Sequence, residues 1–239
     1  MLKLNSFSKL ITLVYIFFYL ISSEIAIGGN FKQEISKNLE SNLNKRNINF
    51  LNEIFENDEK MIRKYNKLIN EFPNAQWKIK NLTPQGSKYN IFNIKVTGSK
   101  YLNEKNYVLE SNFNFLFSFE NGKFNNTKIT KNLTTIRNDN KEIDLDILIP
   151  DKVLTGSNYD IDIVINSPLN GSIIAGTINE YQESHLLNKE INLTLLASGG
   201  IFKVTRAPSR PGTQIWSGYI AHPKGLISFT KSVDILEEF

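Results

Sequence analysis

The side chains that could carry chemistry are few and widely spaced in this sequence. The two histidines, His185 and His222, are 37 residues apart, and the chain has no cysteine and no Glu-x-x-His motif. A zinc site draws its ligands from such side chains, so none is indicated. Ser198 lacks the G-x-S-x-G motif of a nucleophilic serine. Gly199 and Gly200 are not followed by a predicted helix, whose N-terminus a phosphate-binding loop requires. We therefore expect no catalytic residue, no metal and no cofactor, and predict that the chain is not an enzyme.

Two pairs of aspartates have a spacing that could place their carboxylates side by side. Asp144 and Asp146, and then Asp160 and Asp162, are two residues apart in text that alternates with apolar residues. Paired carboxylates bind calcium or serve glycoside hydrolysis. Because the intervening residues are apolar, we interpret both pairs as the solvated faces of strands.

One basic cluster with aromatic neighbours is present near the C-terminus. The cluster consists of three basic residues between Phe202 and Trp216, namely Lys203, Arg206 and Arg210. This combination predicts contact with an anionic surface or a polysaccharide. The alternative is charge at a strand edge and in a loop, where it discourages aggregation between sheet edges.

An aromatic face is the strongest candidate for ligand binding. Apolar pockets are lined mainly by such side chains, and here they recur on alternate positions of one predicted strand. The alternative is core packing against the helix that bears Leu51, Phe55 and Ile62. The candidate ligand-binding residues are Trp77, Tyr107, Phe113, Phe115 and Phe117.

The elements that position these residues fall into two groups. Apolar residues at helical spacing predict two helices between Phe31 and Phe72, broken near residues 47–49 and ended by Pro73. Four antiparallel strands follow and present an apolar face for the helices to cover. The predicted strands are Gln76–Leu82, Tyr89–Thr97, Tyr107–Phe119 and Lys123–Arg137.

The turn between the last two of these strands can be predicted from register. A three-residue loop at residues 120–122, with Gly122 left-handed, places Phe113 opposite Ile129 and Leu109 opposite Leu133. A two-residue turn would instead set aromatic residues opposite polar ones. We therefore predict a hairpin with a glycine bulge at its turn.

After a polar run at residues 137–142, the sequence predicts short strands that are separated by Gly, Pro and Ser. Seven such strands in under 100 residues are typical of a β-sandwich. We therefore predict an α+β domain, two helices on a four-stranded antiparallel sheet, over residues 29–138, and an all-β immunoglobulin-like sandwich over residues 143–236. The predicted strands are Ile143–Ile149, Tyr159–Ile165, Ile173–Tyr181, Ile191–Leu196, Ile201–Thr205, Gln214–Ile220 and Leu226–Ile235.

The N-terminus has the pattern of an export signal. Lys3 and Lys9 precede the apolar run Leu10–Ile21, and small residues at Ala26 and Gly28 suit cleavage. We predict a signal peptide over residues 1–28 and localisation in the periplasm or an equivalent lumen. Membrane association follows only if the segment stays uncleaved, and the net charge of +4 is too mild to predict nucleic-acid binding.

The first half of the chain, with two helices that lead into a four-stranded meander containing a long aromatic strand, resembles the NTF2-like and cystatin-like superfamilies. The turn Phe119-Glu120-Asn121-Gly122-Lys123 is similar to the one that joins the final two strands in many NTF2-like sequences. The later strands, punctuated by Pro150, Gly156, Pro208 and Gly218, are similar to a bacterial immunoglobulin-like domain. These resemblances imply interaction modules or a cone that holds a small apolar ligand. NTF2-like enzymes use Asp and His in the cone, where this chain has no histidine.

The function expected from the sequence is therefore an exported, non-enzymatic interaction or scaffold protein. Its partner would be an unknown protein or envelope component, and the resemblance also allows a homodimer. The alternative is a carrier of a small apolar ligand in the N-terminal cone.

Overall fold

The structure, a computed structural model, describes most of the chain after the predicted signal peptide. The predicted boundary at residues 139–142 and His185 lie outside the described residues, as does the signal peptide itself. The described residues are 31–55, 59–84, 87, 89–138, 143–166, 171, 173–181 and 191–237.

The helices lie in the first half of the chain and cover an aromatic core. They are α1 (31–45), α2 (Ile48–Ile54) and α3 (Glu59–Glu71). The predicted break near residues 47–49 occurs where the Asn47 side chain accepts a hydrogen bond from the Phe50 N–H and so caps α2. Apolar residues at helical spacing face the core, among them Leu39, Leu43, Leu51, Phe55, Met61, Tyr65 and Leu68.

Strands make up most of the remaining described chain. Those of the first half are β1 (Gln76–Asn81), β2 (Asn90–Leu102), β3 (Lys105–Glu120) and β4 (Lys123–Asn138). Those of the second half are β5 (Leu145–Leu148), β6 (Lys152–Leu154), β7 (Asn158–Ile165), β8 (Ala175–Glu180), β9 (Thr194–Leu195), β10 (Gly200–Arg206), β11 (Gly212–His222) and β12 (Gly225–Leu236).

Within the described residues these strands form one large sheet and one small sheet. The large sheet has the order β1-β2-β3-β4-β12-β11-β8-β9, with β6 also paired to β12, and the small sheet has the order β10-β7-β5. All pairs are antiparallel except that of β6 with β12. Because β4 pairs with β12, the large sheet runs from the first predicted domain into the second.

The two faces of the large sheet are covered at opposite ends. The helix face carries Phe113, and α1 to α3 pack on it over β1 to β4. The sandwich face carries Trp216 and Phe229, and the small sheet packs on it over β8, β11 and β12. Thr134 pairs with Thr230, and both side chains lie on the helix face. The neighbouring pair of Thr135 with Phe229 points to the sandwich face, because successive residues of a strand alternate between its faces. Each face of the large sheet is therefore partly uncovered near β4 and β12, where the helices end on one face and the small sheet begins on the other.

The predicted bulge hairpin between β3 and β4 is wrong in its turn. Glu120 pairs with Lys123, so the loop has two residues, Asn121 and Gly122, with φ of 52° and 78°. Positive φ at both positions is what a tight hairpin turn requires. The register is instead corrected farther along, by irregularities near Asn126 and Lys131 that each insert one residue into β4.

Those two irregularities restore the apolar pairing that the prediction required of the turn. Between them Phe115 lies opposite Ile129, where Phe113 was predicted, and beyond the second Leu109 lies opposite Ile136, where Leu133 was predicted. Both pairs contribute to the core under the helices. The hydrophobic pattern therefore determined the register, but through bulges within β4.

The outer edge of the large sheet is closed by side chains from α1. Asn44 accepts a hydrogen bond from the Trp77 N–H at 2.8 Å through Oδ1 and donates to the Trp77 carbonyl at 2.9 Å through Nδ2. Glu40 accepts from the Ile79 N–H at 2.7 Å. These contacts use the β1 backbone groups that would otherwise template pairing with another chain.

Replacing Asn44 with alanine should lower the free energy of unfolding by about 1 kcal/mol, because two hydrogen bonds to the β1 edge are lost. Urea denaturation followed by circular dichroism measures the change. Asn66→Ala, at an exposed position of α3, is the matched control and should be neutral or slightly stabilising. Equal effects of the two substitutions would contradict a role for Asn44 in closing this edge.

Charged side chains gather where β4 and β12 separate beyond their paired segment. Lys231 donates a hydrogen bond to Asp151, whose carboxylate also lies 3.4 Å from the Lys131 ammonium. Burial opposes ionisation of Asp151, but Lys231 and then Lys131 hold its pKa below the ordinary value. The buried Asp234 carboxylate lies 3.2 Å from the Lys128 ammonium. These ion pairs connect the two halves of the chain.

Candidate functional site

The candidate ligand-binding residues lie in the core beneath the helices. Trp77, Phe113, Phe115 and Phe117 are all buried, and Tyr107 is half-buried against the same cluster. Other aromatic rings surround them: the Phe115 centroid lies 5.7 Å from that of Phe55, and the Phe117 centroid lies 4.7 Å from that of Phe124. The structure thus places these residues in side-chain packing contacts with the helices rather than around a cavity.

The basic residues predicted to form one surface cluster have separate contacts. The Lys203 ammonium lies 4.7 Å from the ring centroid of Trp216, which is itself buried in the sandwich core. The Arg206 Nε donates to the Gly156 carbonyl at 2.9 Å, and Arg210 is exposed in the loop before β11. The structure therefore does not bring the three side chains together as a single cationic site.

Three apolar side chains are exposed instead on the outside of the small sheet. They are Leu148 on β5, with 56% of its surface exposed, and Phe202 and Val204 on β10, with 57% and 69%. Leu148 and Phe202 lie on either side of Asp162 in the central strand β7. We call this surface the outer face.

The outer face is acidic between its apolar side chains. Asp160 lies opposite Val204, and Asp162 lies between Leu148 and Phe202. Within the described residues neither carboxylate has a hydrogen-bond or ion-pair partner. Asp146 accepts a hydrogen bond from Asn166 at 2.9 Å. The predicted solvated strand face is thus interleaved with exposed apolar surface.

A groove lies on the helix face where the cover of helices ends. We call it the junction groove. It has a volume of about 280 Å³ and is formed by α3, β3 and β4 of the first half and by residues of β11, β12 and the end of β8 from the second. Its apolar lining consists of Leu68, Phe72, Leu109, Ile136 and Ile215.

Lys64 of α3 is the charged group set deepest among these apolar side chains. Its ammonium lies 4.6 Å from the ring centroid of Phe113 and donates to Oδ1 of Asn132 at 3.0 Å. Burial, with a smaller contribution from the Lys67 charge, lowers the pKa of Lys64 to about 8. The nearby Glu71 carboxylate is paired with Lys100 at 2.8 Å. Among described residues Lys64 therefore has neutral hydrogen-bond and ring partners only.

A second groove, of about 350 Å³, lies on the sandwich face beside β5. Its wall on the large sheet contains Glu110 and Arg137, whose charged groups are 2.7 Å apart, and Lys95. Its other wall is formed by Ile143, Leu145 and Ile147. Two of the three charged groups in its lining, Glu110 and Arg137, therefore already pair with each other.

No group of three or more His, Cys, Asp or Glu side chains in the described part of the chain is arranged to hold a metal ion. His222 lies in the β11–β12 hairpin, where its Nδ1 accepts from the Lys224 N–H at 3.0 Å. Burial, with a smaller contribution from the Lys224 charge, lowers the pKa of His222. None of the helices that the structure describes is both long and apolar enough to cross a membrane.

Sequence reasoning missed both the outer face and the junction groove. The alternation of residues 159–165 predicted a solvated side for β7, but the exposed apolar neighbours come from β5 and β10 and are known only from strand pairing. Lys64 lies between Arg63 and Tyr65 in α3, and a lysine of an amphipathic helix is expected on its solvated face. Its apolar surroundings arise only because the large sheet extends beyond the helices.

Comparison with known proteins gives a match for the second half of the chain. The family model described as "Domain of unknown function (DUF8623)" matches residues 140–236. The matched segment includes β5 to β12, and therefore the small sheet and the half of the large sheet on which it packs. No curated protein matches the chain. Over residues 140–236, then, the chain is similar to a family whose description states no function.

Proposed function

We propose that the chain is an exported, non-enzymatic interaction protein that binds a partner protein through its outer face. The observation that carries this proposal is the row formed by Leu148, Asp162 and Phe202, in which two exposed apolar side chains flank an unpaired carboxylate. Apolar side chains exposed together on a sheet mark interaction surfaces more often than isolated ones do.

Charge favours a basic partner. The outer face carries Asp146, Asp160 and Asp162, whereas the chain as a whole has a net charge of +4. Arg206, the basic residue at the end of β10, is engaged with the Gly156 carbonyl. A partner that presents apolar side chains beside Lys or Arg would match both properties of the face, and complementary charge would fix its orientation and accelerate encounter.

Export and the two-module organisation belong to the same proposal. Export is supported by the basic and apolar pattern of residues 1–28. An NTF2-like or cystatin-like module over residues 29–138 is supported by helices packed on β1 to β4, and an immunoglobulin-like module over residues 143–236 by two packed sheets. Both modules share one sheet, so we propose that they act as a single rigid body.

Site-specific photocrosslinking in the cells that make the protein tests the interaction. With p-benzoylphenylalanine in place of Phe202, we expect ultraviolet light to link the chain to one discrete partner that has a basic surface. The matched control carries the same group in place of Tyr101, which is exposed at the end of β2 in the large sheet and is not part of the outer face. The control should give no such product.

The charge argument is tested in the same assay. Combining Asp160→Asn with Asp162→Asn should reduce the crosslinked product at least about tenfold, because the carboxylates that face the basic partner lose their charge. Equal products from the positions of Phe202 and Tyr101, or a product unaffected by the two substitutions, would contradict docking at the outer face.

A further inference from the structure

We propose that the junction groove binds a small amphiphilic carboxylate, whose head pairs with Lys64 and whose apolar chain lies along the uncovered helix face. This site is separate from the outer face and does not depend on a protein partner. It also differs from the aromatic core under the helices, because the groove lies beside that core, at the step between the two halves of the sheet.

The shape of the groove sets the size of the ligand. A water molecule occupies about 30 Å³ of liquid volume and a methylene group is of similar size, so about 280 Å³ accommodates roughly ten heavy atoms. Leu68, Phe72, Leu109, Ile136 and Ile215 supply the apolar walls. A carboxylic acid with about eight carbons has this size and has the apolar body that such walls bind.

The charge at Lys64 sets the chemistry of the head group. Its ammonium is removed from much of the solvent and is contacted by the amide of Asn132 and the ring of Phe113, neither of which carries a charge. A desolvated cation without a counterion is unfavourable, and an anion at hydrogen-bond distance would relieve it. Lys67, also in the lining, adds positive potential. A ligand with an ammonium or an uncharged head would gain neither interaction.

The other titratable groups around the groove leave Lys64 as the group that responds to the ligand near neutral pH. Lys67 and Glu71 line it from α3, and Tyr181 lines it from the position directly after β8. Glu71 is engaged by Lys100, which holds its pKa below the ordinary value. The remaining lining residues from β3, β4, β11 and β12 carry no charge.

Isothermal titration calorimetry of the folded protein with octanoate tests this proposal. We expect saturable binding that Lys64→Met weakens at least about tenfold, because a charge-assisted hydrogen bond is lost. Lys67→Met, on the groove rim, is the matched control and should change affinity less than about threefold. Lys64→Arg keeps the charge and should retain most of the binding. Octan-1-ol should bind more weakly and be indifferent to Lys64→Met.

A proton-linkage measurement separates ion pairing from simple hydrophobic uptake. The free Lys64 has a pKa of about 8, and an ion pair raises it. Octanoate binding at pH 8.5 should therefore take up protons, seen as different apparent enthalpies in Tris and phosphate buffers, and Lys64→Met should abolish the difference. Affinity should be nearly constant up to about pH 7, decline as Lys64 loses its proton around pH 8, and fall by up to about tenfold per pH unit above it.

Two results would overturn the proposal. One is octanoate affinity that Lys64→Met leaves unchanged, and the other is octylamine binding as tightly as octanoate. Unsaturable uptake of all three probes would likewise identify a non-specific apolar surface. A circular dichroism melt of each variant establishes that it is folded, and Lys64→Arg keeps the test decisive if Lys64→Met is not.

Discussion

Replacement of Phe115 with alanine is expected to lower the free energy of unfolding by about 3–5 kcal/mol, as for other large buried side chains. Phe115 is fully buried, and its ring contacts those of Phe55, Phe117 and Phe124. Truncation would leave a cavity among rings that are fixed by both the sheet and the helices. Urea denaturation monitored by circular dichroism measures the loss.

The matched control for this truncation is Phe202→Ala on the outer face. Phe202 is the same residue type in a strand but is 57% exposed, so its removal should change stability by no more than about 0.5 kcal/mol. The pair of variants also separates the two interpretations of the aromatic strand. A pocket residue would tolerate truncation, and a loss below about 1 kcal/mol for Phe115→Ala would contradict its place in the core.

Removal of one oxygen atom from Tyr159 is expected to destabilise the fold by about 2–4 kcal/mol, since Tyr159→Phe leaves two buried polar groups without partners. The Trp216 Nε1–H donates to the Tyr159 hydroxyl at 2.8 Å, and that hydroxyl donates to the Gln214 Oε1 at 2.5 Å. Burial raises the pKa of Tyr159, so the hydroxyl remains protonated and able to donate.

This hydrogen-bonded chain connects the two sheets of the sandwich, because Tyr159 lies on β7 and its partners lie on β11. Thermal and urea denaturation of Tyr159→Phe measure its contribution. Tyr219→Phe is the matched control: Tyr219 is half-buried on β11, projects to the other face, and has no hydrogen-bonded partner among the described residues. If both variants lose the same stability, the effect does not come from this chain of hydrogen bonds.

The sequence predicted well those features that depend on local periodicity. The helical stripe that ends at Phe72 and the strands that contain Phe115 and Ile163 all lie close to their predicted positions, because apolar spacing in each is set by a single buried face. The position of the hairpin between β3 and β4 was predicted, but its loop was predicted with three residues instead of two, and the bulges in β4 were not predicted. A left-handed Lys131 leaves no signal in the sequence, since lysine is not typical of that conformation.

Features that depend on distant pairing were not predicted. The sequence of β4 does not indicate that Thr134 pairs with Thr230. Polar residues on a strand are compatible with a solvent-exposed sheet edge as well as with a neighbouring strand, so they do not specify a partner. The junction groove and the position of Lys64 within it follow from that pairing. The outer face, likewise, required knowledge of which strands lie beside β7.

The pairing of β4 with β12 also means that β4 is synthesised well before the strand with which it pairs. Thr134 and Thr230 are 96 residues apart, so at about 5–20 residues per second the ribosome needs roughly 5–20 s to supply the missing neighbour. During that time β4 is an open edge. Its irregularities near Asn126 and Lys131, together with Lys128, are features that discourage an edge strand from pairing with other chains. The bulges that set the register in the finished sheet thus also protect the nascent chain while β4 waits for β12.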